Sequence, residues 1–265
     1  AFLACKLRGI KTVVIVTDLP GEDVLKKTLK VKLRNLIIFS LSFDFYICVT
    51  KELNLVVNKK NRPFLIIESF ANIKFETLDN FLENKFQEKI LIYAGSLYEQ
   101  YGLKHLIEGF KMIKDQDIRL WFFGVGPFSL EIKKYAENDC RIQYKGVIPN
   151  NELIEILTKA TLLINPRPSH ESYTKYSFPS KNMEYMSVGT PLLTTKLPGI
   201  PKDHFPFIFL IKEESSLGIY NAICSVLQKS KKELHEFGLH SKRFTLKEKN
   251  NIYQSTKIIN LIKNI

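Results

Sequence analysis

One short stretch, Pro179-Ser-Lys-Asn-Met-Glu184, combines groups that hold phosphate with a group that holds hydroxyls. Proline suits the first turn of a helix, where its missing N–H forfeits no bond. The amides of Ser180, Lys181 and Asn182 would then be free and point outward, with the positive end of the helix dipole behind them. Such an end attracts phosphate. Lys181 adds a full positive charge, and Glu184, three residues on, shares its helix face, where a carboxylate accepts hydrogen bonds from ribose hydroxyls. The pattern predicts a site for a nucleoside diphosphate carrying a sugar. Taken alone, the stretch also reads as an ordinary helix with a proline start and two solvated charges.

The elements that must position this stretch are legible around it. Gly189 can take the left-handed conformation that ends a helix, Pro191 blocks continuation, and Leu192-Leu-Thr-Thr195 reads as a strand. Upstream, Thr12-Val-Val-Ile-Val-Thr-Asp-Leu-Pro20 reads as a buried parallel strand. Phe43-Asp-Phe-Tyr-Ile-Cys-Val-Thr50 and Pro63-Phe-Leu-Ile-Ile-Glu68 read as two more, with a short helix over residues 51–58 between them. Residues 36–49, interrupted by Ser40, Ser42 and Asp44, read as a buried strand with its approach rather than a membrane span, which needs roughly 20 apolar residues. Strands alternating with helices predict an α/β, doubly wound sheet.

Four segments in order carry a family resemblance. Lys89-Ile-Leu-Ile-Tyr-Ala-Gly-Ser96, with a helix over residues 103–114, resembles a first strand and its glycine turn. Arg119-Leu-Trp-Phe-Phe-Gly-Val-Gly-Pro127 resembles a strand ending in Gly-x-Gly-Pro, and Ile142-Gln-Tyr-Lys-Gly146 the next strand with its glycine. Thr161-Leu-Leu-Ile-Asn-Pro-Arg-Pro168 then leads into the loop before Pro179. Over roughly residues 64–263 the chain is similar to the donor-binding half of a GT-B retaining glycosyltransferase. The likeness is to the large family-4 type, in the capsule and exopolysaccharide branch whose motif reads Pro-Ser-Lys ahead of the glutamate.

The resemblance implies two Rossmann-like domains, the first incomplete. Residues 1–84 would be the end of an acceptor-side domain, 85–245 the donor domain, and 246–265 a helix crossing back to the first. Residues 72–88, polar and charged, would connect the two at a hinge. The opening Ala-Phe-Leu-Ala-Cys-Lys-Leu-Arg-Gly reads as a helix interior or end, with an expectation of missing sequence upstream and of impaired catalysis by this chain alone. Residues 247–265 also fit a surface helix or one lying on a membrane.

Implied site residues follow the motifs. Gly95, Ser96, Gly124, Gly146, Val147, Ser180, Lys181, Asn182 and Glu184 would bind the donor, with base contacts from the backbone of residues 146–149. Many relatives carry Glu at the position of Tyr176, near the donor sugar; here the nearest acid is Glu171, which with Lys181 is the catalytic candidate. A solvated loop acid is an equal reading of Glu171. Relatives also place Arg and Lys where this chain has Ser96 and Tyr101, which shifts phosphate binding onto Lys181 and the helix amides. Arg167 and Lys175 are further possible cations, each also readable as a surface charge. Asp18 fits either an acceptor-side cleft or a turn before Pro20, and His170 reads as polar surface.

The implied reaction moves a hexose-type sugar from a nucleoside diphosphate donor to an acceptor hydroxyl with retention. Helix terminus and lysine would stabilise the leaving diphosphate, so neither metal nor cofactor is expected beyond the nucleotide-sugar substrate. Gly124-Val-Gly lacks the third glycine of a dehydrogenase fingerprint.

Composition is compatible without being diagnostic. The 265 residues are 45% hydrophobic and 25% charged, enough for a sizeable core. A net charge of +12 and a pI near 9.4 suit acidic partners: nucleoside diphosphates, an anionic membrane surface, or nucleic acid. No nucleic-acid motif stands out, so no such partner is expected. Cys5, Cys48, Cys140 and Cys224 lack metal spacing and read as reduced core residues of a cytoplasmic protein, peripheral at the inner face of the membrane if attached at all. The expected acceptor is a saccharide or a lipid-linked saccharide in surface-polysaccharide assembly. Two other classes fit the chain: a noncatalytic GT-B-like nucleotide- or partner-binding protein, and a basic peripheral membrane protein.

Overall fold

Among the residues described by the computed structural model, 2–19 and 42–263, the strands form two separate parallel sheets. The first holds β1 (Val13–Val16), β2 (Phe45–Cys48) and β3 (Phe64–Ile66) in that order, with α1 (Phe2–Leu7) ahead and α2 (Lys51–Val57) between β2 and β3. Central β2 is buried at every position, as a continuous apolar run in a parallel sheet requires. Thr50 caps α2 through a hydroxyl that accepts from the Leu53 amide at 3.1 Å. The expected strand over residues 36–49 falls partly outside the described residues; its described part contributes β2.

The second sheet follows the chain as β4 (Lys89–Ala94), α3 (Leu103–Lys111), β5 (Ile118–Phe123), α4 (Ser129–Asn138), β6 (Ile142–Gly146), α5 (Asn150–Lys159), β7 (Leu162–Asn165), α6 (Ser180–Ser187), β8 (Leu192–Thr195) and β9 (Phe209–Ile211). Helices α7 (Ser216–Leu227), α8 (Lys231–Glu248) and α9 (Asn251–Lys263) complete it. Strand order is β6-β5-β4-β7-β8-β9, so the winding direction reverses between β4 and β7. Alternate residues of β4 serve two cores. Leu91 and Tyr93 join α3 and α7 on one face, while Ile90, Ile92 and Ala94 join α6 and α8 on the other.

Residues 72–88, expected as a hinge, are fastened to the second sheet's layer. Asn80 donates to the Val188 carbonyl at 2.7 Å. Buried Lys85 donates to the carbonyls of Thr158 and Ala160 at 2.6 and 3.2 Å and to the Thr190 hydroxyl at 3.2 Å. Burial, with the nearby Lys231 charge, lowers its pKa to about 7.

At the other end, α8 opens with a capping box at Ser230 and Glu233. Helix α9 starts against the segment leaving the first sheet: Ala71 donates to the Lys249 carbonyl at 2.8 Å and accepts from Asn251 at 2.9 Å. Beyond that turn α9 is largely exposed, including Ile252, Ile259 and Ile262. An ionic cluster lies at the same junction, with Glu68, His204 and Lys249 buried and Asp203 at the surface. Lys249 reaches Glu68, beyond β3, at 2.6 Å and Asp203 at 2.7 Å, and His204 lies 3.0 Å from Asp203.

The cysteines meet the core expectation only in part, with Cys5 and Cys224 half-buried. Cys48 is buried, and burial pushes its thiol up to about 12, but Cys140 sits exposed after α4 because its chain turns there into β6. No described helix is long and apolar enough to cross a membrane.

Candidate active site

A cleft of about 690 Å³ opens at the carboxyl ends of β4 and β7. That is the switch point of the second sheet, where loops diverge and leave a crevice in doubly wound folds. The turn after β4 contributes Gly95 and Ser96, the exit of β7 contributes Asn165 and Arg167, and the approach to α6 contributes Ser180 and Lys181. Asp18 and Leu19, beyond β1, bring the first sheet to the same cleft.

The start of α6 is held by two buried networks. Tyr185, fully buried, donates its phenol to the Ala94 carbonyl at 2.8 Å and accepts from the Ala94 amide at 2.7 Å. Burial keeps that phenol protonated, its pKa well above the ordinary value. The helix is therefore locked to the last residue of β4. Asn182 forms the second network, accepting from Asn165 at 2.6 Å and donating to Thr194 at 3.3 Å.

This arrangement corrects part of the expected anion site. Pro179 precedes the first helical residue and acts as its cap, with no side-chain bond to the helix. Its carbonyl accepts from the Asn182 amide at 2.8 Å. With side chain and amide both engaged, Asn182 braces β7, α6 and β8 and is not free to bind donor. Ser180 and Lys181 do line the cleft. Glu184 lies one turn along with both carboxylate oxygens 3.0–3.1 Å from the Lys181 ammonium, so the two expected donor residues meet as an ion pair.

Glycines expected at the donor divide by role. Gly95 lines the cleft, but Gly124 does not. Gly124 has φ +124°, and a Cβ there would lie 1.9 Å from the Gly95 carbonyl oxygen. It permits the turns after β4 and β5 to touch, a contact completed by Gly95 donating to Phe123 at 3.0 Å and Leu97 to Val125 at 2.8 Å. Gly146, φ +72°, has open space around its Cα, and Val147 beside it is exposed. Both lie at the end of β6, outside the residues lining the main cleft.

The acidic candidate also lies elsewhere. Glu171 caps the 3-10 turn Ser172–Lys175, 3.8 Å from His170, and is not among the cleft's lining residues. His170 is exposed on the surface, 3.9 Å from Glu214. Tyr176, standing where the resemblance places an acid, lines the cleft and packs against the apolar cluster that Tyr46 and Cys48 of β2 form with Leu53 and Val57 of α2. An aromatic ring there fills the contact between the two sheets, which a carboxylate could do only by desolvating its charge.

An aromatic group around Arg167 completes the site. Its guanidinium lies 4.4 Å from the ring centroid of Tyr101 and 5.8 Å from that of Tyr173, and all three line the cleft. Tyr93, with its hydroxyl donating to the Ser96 carbonyl at 2.9 Å, lines it too; burial raises its pKa, the Arg167 charge opposing. Lys175 instead lies over the Tyr176 ring at 4.9 Å and is exposed.

A family model described as glycosyl transferases group 1 matches residues 88–229, more than half of the chain. The chain belongs to that family. Among curated relatives, WcaL of Escherichia coli (strain K12), provisionally named a colanic acid biosynthesis glycosyltransferase, is 26% identical over 117 residues, 42% of this chain and 29% of WcaL. The chain thus matches under a third of that relative's length. Among solved structures, sucrose-phosphate synthase from Thermosynechococcus elongatus superposes with TM-score 0.76 at 16% identity, over 99% of this chain and 70% of the synthase. Anabaena Alr3699/HepE in complex with UDP and glucose superposes with TM-score 0.73 at 12% identity, over 100% and 74%. The group 1 fold assignment is α/β of GT-B type with two parallel sheets.

For a group 1 glycosyl transferase, the main residues unassigned from sequence are Tyr185, Asn165 and the Arg167 group. Tyr185 follows Glu184 with no local sign that its hydroxyl will find Ala94, which is distant in sequence. Arg167 was visible as a cation, but the rings that hold it come from separate loops.

Proposed function

We propose that this chain carries the nucleotide-sugar site of a retaining glycosyltransferase, with the diphosphate lying between the Gly95–Ser96 turn and the start of α6. The observation that carries this reading is the convergence of Ser180, Lys181 and the Gly95–Ser96 turn on one cleft at the switch point, with Asp18 entering from the first sheet. The acceptor would approach from the Asp18 side. As the sugar–oxygen bond breaks, negative charge builds on the leaving diphosphate. Backbone amides at Ser180 and Lys181, together with the Lys181 ammonium, oppose that charge.

Complexes of structural neighbours with UDP and glucose support a nucleoside diphosphate-sugar as donor class. The name of WcaL supports a role in polysaccharide biosynthesis, with a saccharide or lipid-linked saccharide as acceptor. A net charge of +12 fits docking on an anionic inner membrane face, and free thiols fit a cytoplasmic location.

A noncatalytic nucleotide-binding role is the second reading. It is favoured by Tyr176 at the acid position and by Glu171 standing outside the cleft, which leave Asp18 as the carboxylate among the lining residues. Isothermal titration with UDP, GDP and their glucose conjugates tests the site. Binding lost in Lys181→Ala and weakened in Glu184→Ala supports it; unchanged binding in both variants removes it. Radiolabelled sugar transfer or hydrolysis by the same protein separates the enzyme from the binding module.

A further inference from the structure

The proposed diphosphate site is short of positive charge. Lys181 is already matched by Glu184, so the start of α6 offers little net charge beyond its helix amides. A second cation stands in the same cleft. Arg119 and Arg141 each hold a carboxylate, at 2.6 and 2.7 Å, but among the described residues Arg167 holds none. Its Nε is buried without a hydrogen-bond partner, and so is the hydroxyl of neighbouring Tyr173.

Leaving a charged donor and a hydroxyl buried and unsatisfied is costly, and side by side in a cleft they describe a place for an acceptor of hydrogen bonds. The Tyr101 ring lies 4.4 Å from the guanidinium and orients it, and the planar fork of N–H donors that an arginine carries suits two oxygens of one phosphate. Ordinary surface arginines are hydrated instead.

We propose that Arg167, held on the Tyr101 ring with the Tyr173 hydroxyl beside it, is the second cation that binds the donor diphosphate. This rests on the nucleotide-sugar reading above. In it, Arg167 supplies from the exit of β7 the charge that Lys181 shares with Glu184, and it stabilises the same leaving group.

The test is titration of the full chain and its Arg167→Gln and Arg167→Lys variants with UDP, GDP and UDP-glucuronate, and with uridine and guanosine as phosphate-free arms. Arg167→Gln is expected to weaken the diphosphate by roughly 10- to 100-fold, as for loss of a charge-assisted bond, while the nucleoside is unaffected. Its diphosphate affinity should also depend less on salt. Arg167→Lys should fall between, keeping charge but not the planar fork.

Unchanged UDP and GDP affinity in Arg167→Gln, with loss in Lys181→Ala, would overturn the inference and leave the donor site standing. Loss confined to UDP-glucuronate, with UDP unaffected, would assign Arg167 to a sugar carboxylate and overturn it as well. Equal loss of nucleoside and diphosphate, together with a lowered thermal midpoint in both Arg167 variants, would mean a structural role. Failure of the unmodified chain to bind any nucleotide removes both readings.

Discussion

The phenol of Tyr185 satisfies both backbone groups of Ala94, accepting from its amide at 2.7 Å and donating to its carbonyl at 2.8 Å. A helix and a strand tip are thereby joined where the sheet reverses. Tyr185→Phe leaves a buried N–H and C=O without partners at about 1–3 kcal/mol each. A loss of about 2 kcal/mol or more in urea unfolding is expected, together with weaker nucleotide binding because α6 loses its fixed offset from Gly95. Full stability in the variant would mean that the bond contributes nothing to holding α6.

Two glycines with positive φ should respond differently to alanine. At Gly124 the new Cβ meets the Gly95 carbonyl oxygen at 1.9 Å, so the turns after β4 and β5 must separate. Destabilisation of about 4 kcal/mol or more, or failure to fold, is expected in thermal melts. At Gly146 the space is open, and only backbone strain of about 1–2 kcal/mol remains. Similar melting points for the two variants would contradict this division.

Glu171→Gln should leave nucleotide affinity within about twofold of the parent, as a solvated charge away from the cleft predicts. A large fall measured by titration would show that the loop carrying Glu171 folds over bound donor.

Acid should loosen the junction between the sheets. His204, then Lys249, hold the Asp203 carboxyl well below its ordinary 3.8, with burial opposing. Its folded pKa lies below its unfolded one, so its stabilisation is complete above the unfolded value and disappears as pH falls through the folded value. Urea midpoints measured from about pH 5 down to about pH 2 should decline, and Asp203→Asn should flatten that decline. Parallel curves for the two proteins would exclude Asp203 as a source.

Strands β4, β5 and β7 were legible because each is a short apolar run bounded by glycine or proline, and the start of α6 because proline, serine and lysine mark it. Asn182 was misplaced for a physical reason. An asparagine near a helix start offers its side chain to any partner, and only the folded sheet supplies Asn165 and Thr194. Gly124 was misread likewise, since a glycine that admits phosphate and one that admits another turn look alike in sequence. Arg167 and Tyr173 share the loop before α6, but Tyr101 arrives from the loop after β4, and no spacing along the chain announces that encounter.

The chain passes between the two sheets at Ala71 and meets its own later course at Lys249–Asn251, where the two passages are hydrogen-bonded to each other. Relative movement of the sheets would turn about that crossing, and Asp18 and Lys181 would approach each other along an arc.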